Sequence, residues 1–256
     1  MRVAKVQIEA PITSFRYPHF LIGRQAGFDM PPPSTIYGHI ASAVGEWFDP
    51  ATVKFAYQFS FQAKGSDLEH QHVITRGGQS FKWGTKKYPV STQAVVQPHL
   101  RDFLFGCRLT LYLDPPDLAE AFRHPAFCVN LGRSQDLASV ISAEVVELER
   151  AKGAYLEQTL LPFSMRPLLG RGVTVLMPRY IEPPPDREPH FSRYIVLFEL
   201  VYAGEVSHTN RLLHYEGRSA EEWLVDPSSP PKHEGVRRGL IFHSFVGDED
   251  SVAGFR

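Results

Sequence analysis

The sequence predicts an α+β fold of the ferredoxin-like class, and three observations carry that expectation. Alternation of period two at the start of the chain gives way to a helical stripe of apolar residues at i, i+4 and i+8. The elements that follow run in the order strand, helix, strand, hairpin, strand, helix, which is a split β-α-β arrangement of the kind shared by ferredoxin-like folds, among them the RNA-recognition fold. Glycines and prolines punctuate residues 64–98 between short β-prone runs, so the hairpin is long and protrudes from the core.

The first strand is read from Val3, Lys5, Gln7 and Glu9 alternating with Ala4, Val6, Ile8 and Ala10. Its exit carries Phe15-Arg16-Tyr17-Pro18 and Gly23-Arg24, followed by the rigid turn Met30-Pro31-Pro32-Pro33. A helix over 34–47 comes next, opened by Ser34 or Thr35 and closed near Phe48-Asp49-Pro50. Ile36, Ile40 and Val44 form its apolar face, and Gly38, Ala41, Ser42, Ala43 and Gly45 let it lie close to a sheet. Residues 54–62 alternate strictly, with aromatics at 55, 57, 59 and 61, and form the second strand. Phe105–Leu113 is a further strand and Pro115–His124 a short helix stopped by Pro125. Phe127–Ser134 reads as strand or loop, and Val140–Leu148 as a β-rich run.

These elements complete a first domain over 1–150. Residues 151–256 form a β-rich, proline-rich extension packed on it, whose clearest strand is Tyr194–Tyr202, while 227–232 and 247–256 look loosely ordered.

At 256 residues and 43% hydrophobic content the chain buries a substantial core. No run approaches the ~20 apolar residues of a membrane span, and Met1–Val6 enters alternation directly, so the expectation is a soluble cytoplasmic protein. Two cysteines, Cys107 and Cys128, exclude a disulfide framework or zinc ribbon and are expected as buried thiols. The formal net charge of -1 conceals a division: residues 1–110 carry 12 Lys/Arg against 7 Asp/Glu, and residues 111–256 carry 15 against 21.

Two features point toward a polyanion. The helix start after the proline turn leaves backbone N–H groups free for an anion, and Arg16 and Arg24 lie near it in the chain. An ordinary Pro-Ser/Thr helix start has the same sequence. Between His70 and Arg101 stand Arg76, Lys82, Lys86, Lys87 and Arg101 with no acidic residue, interleaved with Phe81, Trp83 and Tyr88. Basic residues mixed with aromatics suit single-stranded nucleic acid, and they also suit a solvated hairpin.

Taken in order, the first strand, the Ser14-Phe15-Arg16 exit, the turn Pro32-Pro33-Ser34-Thr35-Ile36-Tyr37-Gly38 and the segment Leu131-Gly132-Arg133-Ser134-Gln135 resemble the fifth CRISPR-associated protein family. The resemblance covers about residues 1–150 and implies the repeat-associated (RAMP) version of the RNA-recognition fold, with residues 64–98 as a thumb. It implies a subunit of a type I CRISPR surveillance complex (Cascade), most similar to type I-B, that grips the 5′ handle of CRISPR RNA and caps the backbone filament. Its implied partners are the crRNA handle, the backbone subunit of the seventh family and the large subunit of the eighth, with target DNA met only through the complex and no membrane. The implied RNA contacts are Arg16, Arg24, Ser34, Thr35, Gly38, His39 and Arg133 with Ser134, together with Arg76, Lys82, Trp83, Lys86 and Lys87 on the thumb.

Two other readings stand beside it. One branch of the family, in type I-C systems, cleaves precursor RNA without metal, using a tyrosine after the helix-start proline and a mid-chain Lys-His pair. Here Thr35 stands nearest that tyrosine, Tyr37 follows two residues later, and the Lys-His pair is Lys232-His233, so the expectation is a protein without catalytic residues; Tyr37 and His39 are the best candidates for chemistry. The third reading, a protein-interaction scaffold without RNA contacts, is opposed by the segregation of charge. No cofactor or metal is expected: His70 and His72 share a strand face but lack a third ligand with recognisable spacing.

Overall fold

A computed structural model describes residues 1–19, 23–75, 80–89, 93–204, 212–213 and 223–247. The elements that position the site are β1 (Arg2–Thr13), α1 (Pro33–Val44), β2 (Lys54–Ser60), β3 (Ala63–Thr75), β4 (Ser80–Trp83), β5 (Lys86–Pro89), β6 (Gln93–Asp114), α2 (Leu118–Arg123) and β7 (Ser139–Glu147). The C-terminal half adds β8 (Glu149–Ala151), β9 (Gly153–Leu156), β10 (Thr159–Pro162), β11 (Val173–Ile181), β12 (Pro189–Leu197), β13 (Val201–Gly204), β14 (Leu212–Leu213), β15 (Trp223–Asp226), β16 (Arg237–Gly239) and β17 (His243–Ser244).

The main sheet runs β7-β1-β6-β2-β10-β12-β11, antiparallel at every step. Within the first 150 residues the four core strands therefore lie in the order fourth, first, third, second. Ala4, Val6, Ile8 and Ala10 of β1 and Leu109, Leu111 and Leu113 of β6 are buried on one face with Ile36 and Ile40 of α1 and Ala119 and Phe122 of α2. Alternation thus selects the helix-bearing face. The other face of β1, β2 and β6 offers Val3, Ala56 and Tyr112, which pack with Leu240 and Phe242 from the C-terminal half. Beside them, Lys5 Nζ donates to Asp226 at 2.7 Å with both side chains nearly fully buried, and Tyr112 donates to the same carboxylate at 2.7 Å. Asp226 belongs to a second sheet, β8-β15-β16-β9-β13-β14, whose Leu156, Trp223 and Val225 form a separate core with Ile195 and Leu197 of β12.

β6 spans 22 residues because it serves two structures. Its C-terminal half lies in the core sheet, while its N-terminal half pairs with β3 from Phe105 opposite Ala63 to Gln93 opposite Thr75. This ribbon carries exposed Leu68, Ile74, Val96 and Leu100, and β4 and β5 pair near its end.

Several expectations change. α1 starts at Pro33, with Pro32 as N-cap and no side-chain cap, so Ser34 and Thr35 lie in its first turn; proline at the first helical position suits the fixed φ and lacks only an N–H that would be unpaired anyway. The helix ends at Gly45, φ +97, and an added Cβ there would meet Ala126 at 2.8 Å, so glycine ends the helix before Asp49-Pro50 is reached. The run Tyr194–Tyr202 is two strands, β12 in the main sheet and β13 in the second, because the chain turns between sheets at 198–200. The segment 227–232 is anchored: Ser229 is buried, donates to Asp226 O at 2.7 Å and accepts from Arg238 N–H at 2.9 Å. Cys107 is buried as expected, but Cys128 is exposed. Residues 248–256 lie outside the described residues.

Candidate nucleic-acid interface

Three loops meet where β1 leaves the sheet, and buried hydroxyls pin each of them. Ser14 Oγ donates to Asp102 O at 2.8 Å, fixing the exit of β1 on β6. Tyr57 of β2 donates to Pro31 O at 2.6 Å, fixing the proline turn that launches α1. Thr13 Oγ1 donates to Leu131 O, and His39 Nδ1 meets Asn130 O at 3.0 Å, holding the 130–136 loop from both sides. Gly132 makes the approach possible: its φ is +92, and a Cβ would lie 2.5 Å from Thr13 Oγ1 and 2.9 Å from Ser14 O.

A cleft of about 420 Å³ opens between these loops, lined among others by Arg16, Ser34, Thr35, Arg101, Gly132 and Arg133. Its far wall is Pro178, Ile181, Pro189 and Phe191 from β11 and β12. At the floor, Thr35 N–H and Ile36 N–H both donate to Pro32 O, at 2.9 and 3.3 Å, and Pro33 has no N–H. Ser34 N–H is left without an acceptor among the described residues, and no acidic residue stands in the first turn. The helix end is accordingly electropositive and uncapped.

The three cleft arginines differ in how they are held. Arg16 is exposed, and its side chain makes no hydrogen bond to any described residue. Arg133 is bound by Asp136 through Nε at 2.9 Å and Nη2 at 2.6 Å and by Glu69 through Nη1 at 3.0 Å, while its guanidinium lies 4.6 Å from the Phe103 ring centre. Arg101 donates from Nε to the other oxygen of Glu69. Burial would raise the Glu69 carboxyl, but its bonds to Arg101 and Arg133 hold it below the usual glutamate range.

Of the residues selected from sequence, Arg16, Ser34, Thr35 and Arg133 thus converge on one cleft. Arg24 does not line it; it pairs with Asp102 at 3.3 Å while two-thirds exposed. Gly38 lies one turn into α1 with nothing within 4 Å of the position a Cβ would take, and Ser134 is exposed beside Arg133. His39 is a correction: it is 6% exposed, its ring packs on Phe122, and burial lowers it to about 4, so it is a neutral core histidine that anchors the 130–136 loop. Tyr37 is also internal, donating to Phe48 O at 2.7 Å among Trp47, Phe48, Tyr180 and Phe245. Lys232 bonds Glu157 at 2.8 Å, and neither it nor His233 lines the cleft.

Lys82, Trp83, Lys86 and Lys87 occupy the β4–β5 pair, apart from the cleft. Lys82 stands opposite Lys87, which puts like charges on one face, and Trp83 opposite Lys86 shares the other face with stacked Phe81 and Tyr88. Trp83 is 74% exposed. Arg76 lies outside the described residues. No group of three or more potential metal ligands occurs among the described residues, and no described helix is long and apolar enough to cross a membrane.

Sequence reading missed Arg101 as a cleft residue, although it stood in the acid-free run, and the whole β11–β12 wall. Arg101 could have been found from its place at the base of the ribbon. Nothing local marks Pro178 or Phe191, because a contact with residues about 150 positions earlier leaves no periodic trace.

No family model matches the chain, and no curated protein matches it. Solved structures to which it is similar include a chain described as a CRISPR RNA-guided surveillance complex, at 14% identity and TM-score 0.49, covering 85% of this chain and 95% of that one. A chain of a type III-B Cmr-beta complex bound to cognate target RNA aligns at 9% identity and TM-score 0.44, covering 77% and 85%. A CRISPR protein from Archaeoglobus fulgidus aligns at 9% identity and TM-score 0.40, covering 78% and 87%.

Proposed function

We propose that this chain is a non-catalytic RNA-binding subunit of a type I CRISPR surveillance complex, which holds the 5′ handle of CRISPR RNA in the cleft at the start of α1 and caps the backbone filament. The observation that carries the reading is convergence. Arg16, Ser34, Thr35 and Arg133 come from three separate segments chosen by the family resemblance, and they line one cleft at an uncapped helix N-terminus. The strand order fourth, first, third, second with both helices on one face supports a ferredoxin-like reading, which we assign to the RAMP branch.

In this reading a handle phosphate sits against Ser34 N–H and the Ser34 and Thr35 hydroxyls, with exposed Arg16 supplying positive charge. Handle bases turn toward the apolar wall of Phe191 and its neighbours. The ribbon acts as the thumb: Trp83, Phe81 and Tyr88 give a stacking surface, while Lys82 and Lys87, which repel across the strand pair, are stabilised by RNA phosphates between them. The backbone subunit of the seventh family and the large subunit of the eighth are the protein partners, with the acidic C-terminal half turned toward protein.

The open face of the core sheet supports a cleft and thumb over the usual sheet surface of RNA-recognition folds. That face is covered at one end by the second sheet, and beyond it carries polar Gln7, Glu9, Thr110 and Arg108 without an aromatic platform. A cleaving enzyme needs an acid and a base within reach of the 2′-OH and the leaving oxygen, and Tyr37 and His39 are both packed in the core. The test is binding of short single-stranded RNA across a salt series. Arg16→Ala should weaken binding and lower the slope of log K against log salt by about 0.7; wild-type affinity with an unchanged slope would reject the cleft as a phosphate site.

A further inference from the structure

Glu69 lies on a different element from the 131–136 loop whose arginine it holds. It projects from β3 at the base of the ribbon, and its two oxygens take donors from two different arginines, Arg133 Nη1 at 3.0 Å and Arg101 Nε. Asp136 is different in kind. It accepts from Arg133 N–H, Nε and Nη2, its main chain closes the same loop through Asp136 N–H to Arg133 O at 3.0 Å, and its side chain is 1% exposed. Asp136 therefore builds the 131–136 loop. The Glu69 carboxylate is a quarter exposed and, among the described residues, bonds only those two arginines.

Resting on the phosphate reading of the cleft, we infer that Glu69 governs its anion affinity: the carboxylate occupies the guanidinium donors of Arg101 and Arg133, and a bound RNA phosphate takes those donors by displacing it. Carboxylate and phosphate compete for the same forked geometry, so an internal glutamate is a chemical mimic of the ligand group. With Glu69 and Asp136 in place, Arg16, Arg101 and Arg133 leave the cleft one positive charge in excess; without Glu69 the excess is two. The same displacement loosens the base of the ribbon from the 131–136 loop, which couples filling of the cleft to the position of the thumb.

The experiment titrates the full chain with a short fluorescein-labelled single-stranded RNA between about 50 and 200 mM salt. Glu69→Gln keeps the size and a hydrogen-bonding end but removes the charge. It should bind about three- to tenfold tighter at the low-salt end, with a slope steeper by about 0.7, the value for one more neutralised phosphate on a single strand. A folded Glu69→Gln protein that binds no tighter, with an unchanged slope, overturns the inference.

Arg16→Ala in the same titration separates the two levels. If Arg16→Ala binds as wild type, the phosphate reading itself fails; if it weakens while Glu69→Gln gains nothing, only the role of Glu69 fails. Should Glu69→Gln not fold, the wild-type chain answers directly. The Nε–H resonance of Arg101 and the Nη–H resonances of Arg133, the donors that Glu69 holds, should shift as RNA saturates the cleft, and signals that stay in place at saturation overturn the exchange of partners.

Discussion

Replacing Gly132 by alanine tests how the cleft is assembled. The loop that carries Arg133 reaches the exit of β1 only because residue 132 has no side chain and takes φ +92. An L-residue in the left-handed region costs ~1–2 kcal/mol. The new methyl would also stand 2.5 Å from Thr13 Oγ1 and 2.9 Å from Ser14 O. Thr13 is fully buried and donates to Leu131 O, so turning it aside forfeits a hydrogen bond worth about 1 kcal/mol. Ser14 O is main chain and can yield only if the loop lifts. Together these give a destabilisation of about 2–4 kcal/mol. Urea unfolding should show it as a lower midpoint with an unchanged slope, a fall of about 1 M for a slope near 3 kcal/mol/M. Gly38→Ala is the internal control. It lies within α1 with nothing within 4 Å of the added carbon, so it should stabilise by about 0.5–1 kcal/mol. A Gly132→Ala protein within about 0.5 kcal/mol of wild type would refute the reasoning.

Three further outcomes are expected. His39, lowered to about 4 by burial from 6.5, stays neutral in the native chain while the unfolded chain protonates, so stability should fall by about 3 kcal/mol as pH drops through that window. Urea midpoints at several pH values should show His39→Gln flattening this dependence, and an unchanged pH slope would contradict it. Lys5→Met leaves the Asp226 carboxylate buried with only neutral partners, the Tyr112 and Ser228 hydroxyls and the Ser228 N–H, and should cost about 3–5 kcal/mol in thermal or urea unfolding; a loss under about 1 kcal/mol would show that the pair does not tie the two sheets. Trp83→Ala, at 74% exposure, should leave stability within about 0.5 kcal/mol yet weaken RNA binding by about 1–3 kcal/mol in fluorescence anisotropy, and unchanged binding would remove Trp83 from the RNA surface.

How far the sequence could be read follows from the range of the forces involved. β1, β2 and α1 announce themselves because one face of each is continuously apolar, and its burial writes a period of 2.0 or 3.6 into local sequence: Ala4, Val6, Ile8 and Ala10 fall on one side of β1, and Ile36 and Ile40 on one side of α1. The ribbon showed through its glycines and paired β-prone runs. The end of α1 is not legible because Gly45 fits a packing role as well as a stop, and only its positive φ makes it the stop. Tyr194–Tyr202 deceived for a related reason. Tyr194, Ile195, Val196 and Leu197 are all buried on both faces of β12, so the run has no alternation to reveal the corner at 198–200. Of the cleft, Arg16, Ser34, Thr35 and Arg133 were legible as motif residues. His39 was not separable from them, because only the fold shows that its ring turns inward to Phe122 and Asn130. The clamp of Glu69 on Arg101 and Arg133 joins β3, β6 and a loop 64 residues further on, and no local pattern encodes it.

The most direct measurement is end-sequencing of the RNA that copurifies when the chain is expressed with a backbone subunit and a CRISPR array. Recovered RNA should begin with one common handle and be diminished by Arg16→Ala, and precursor RNA should survive uncut when it meets the isolated chain in EDTA. Recovery of no RNA, of RNA with scattered 5′ ends, or cleavage of the precursor by the isolated chain would contradict a cleft that holds the handle without cutting it.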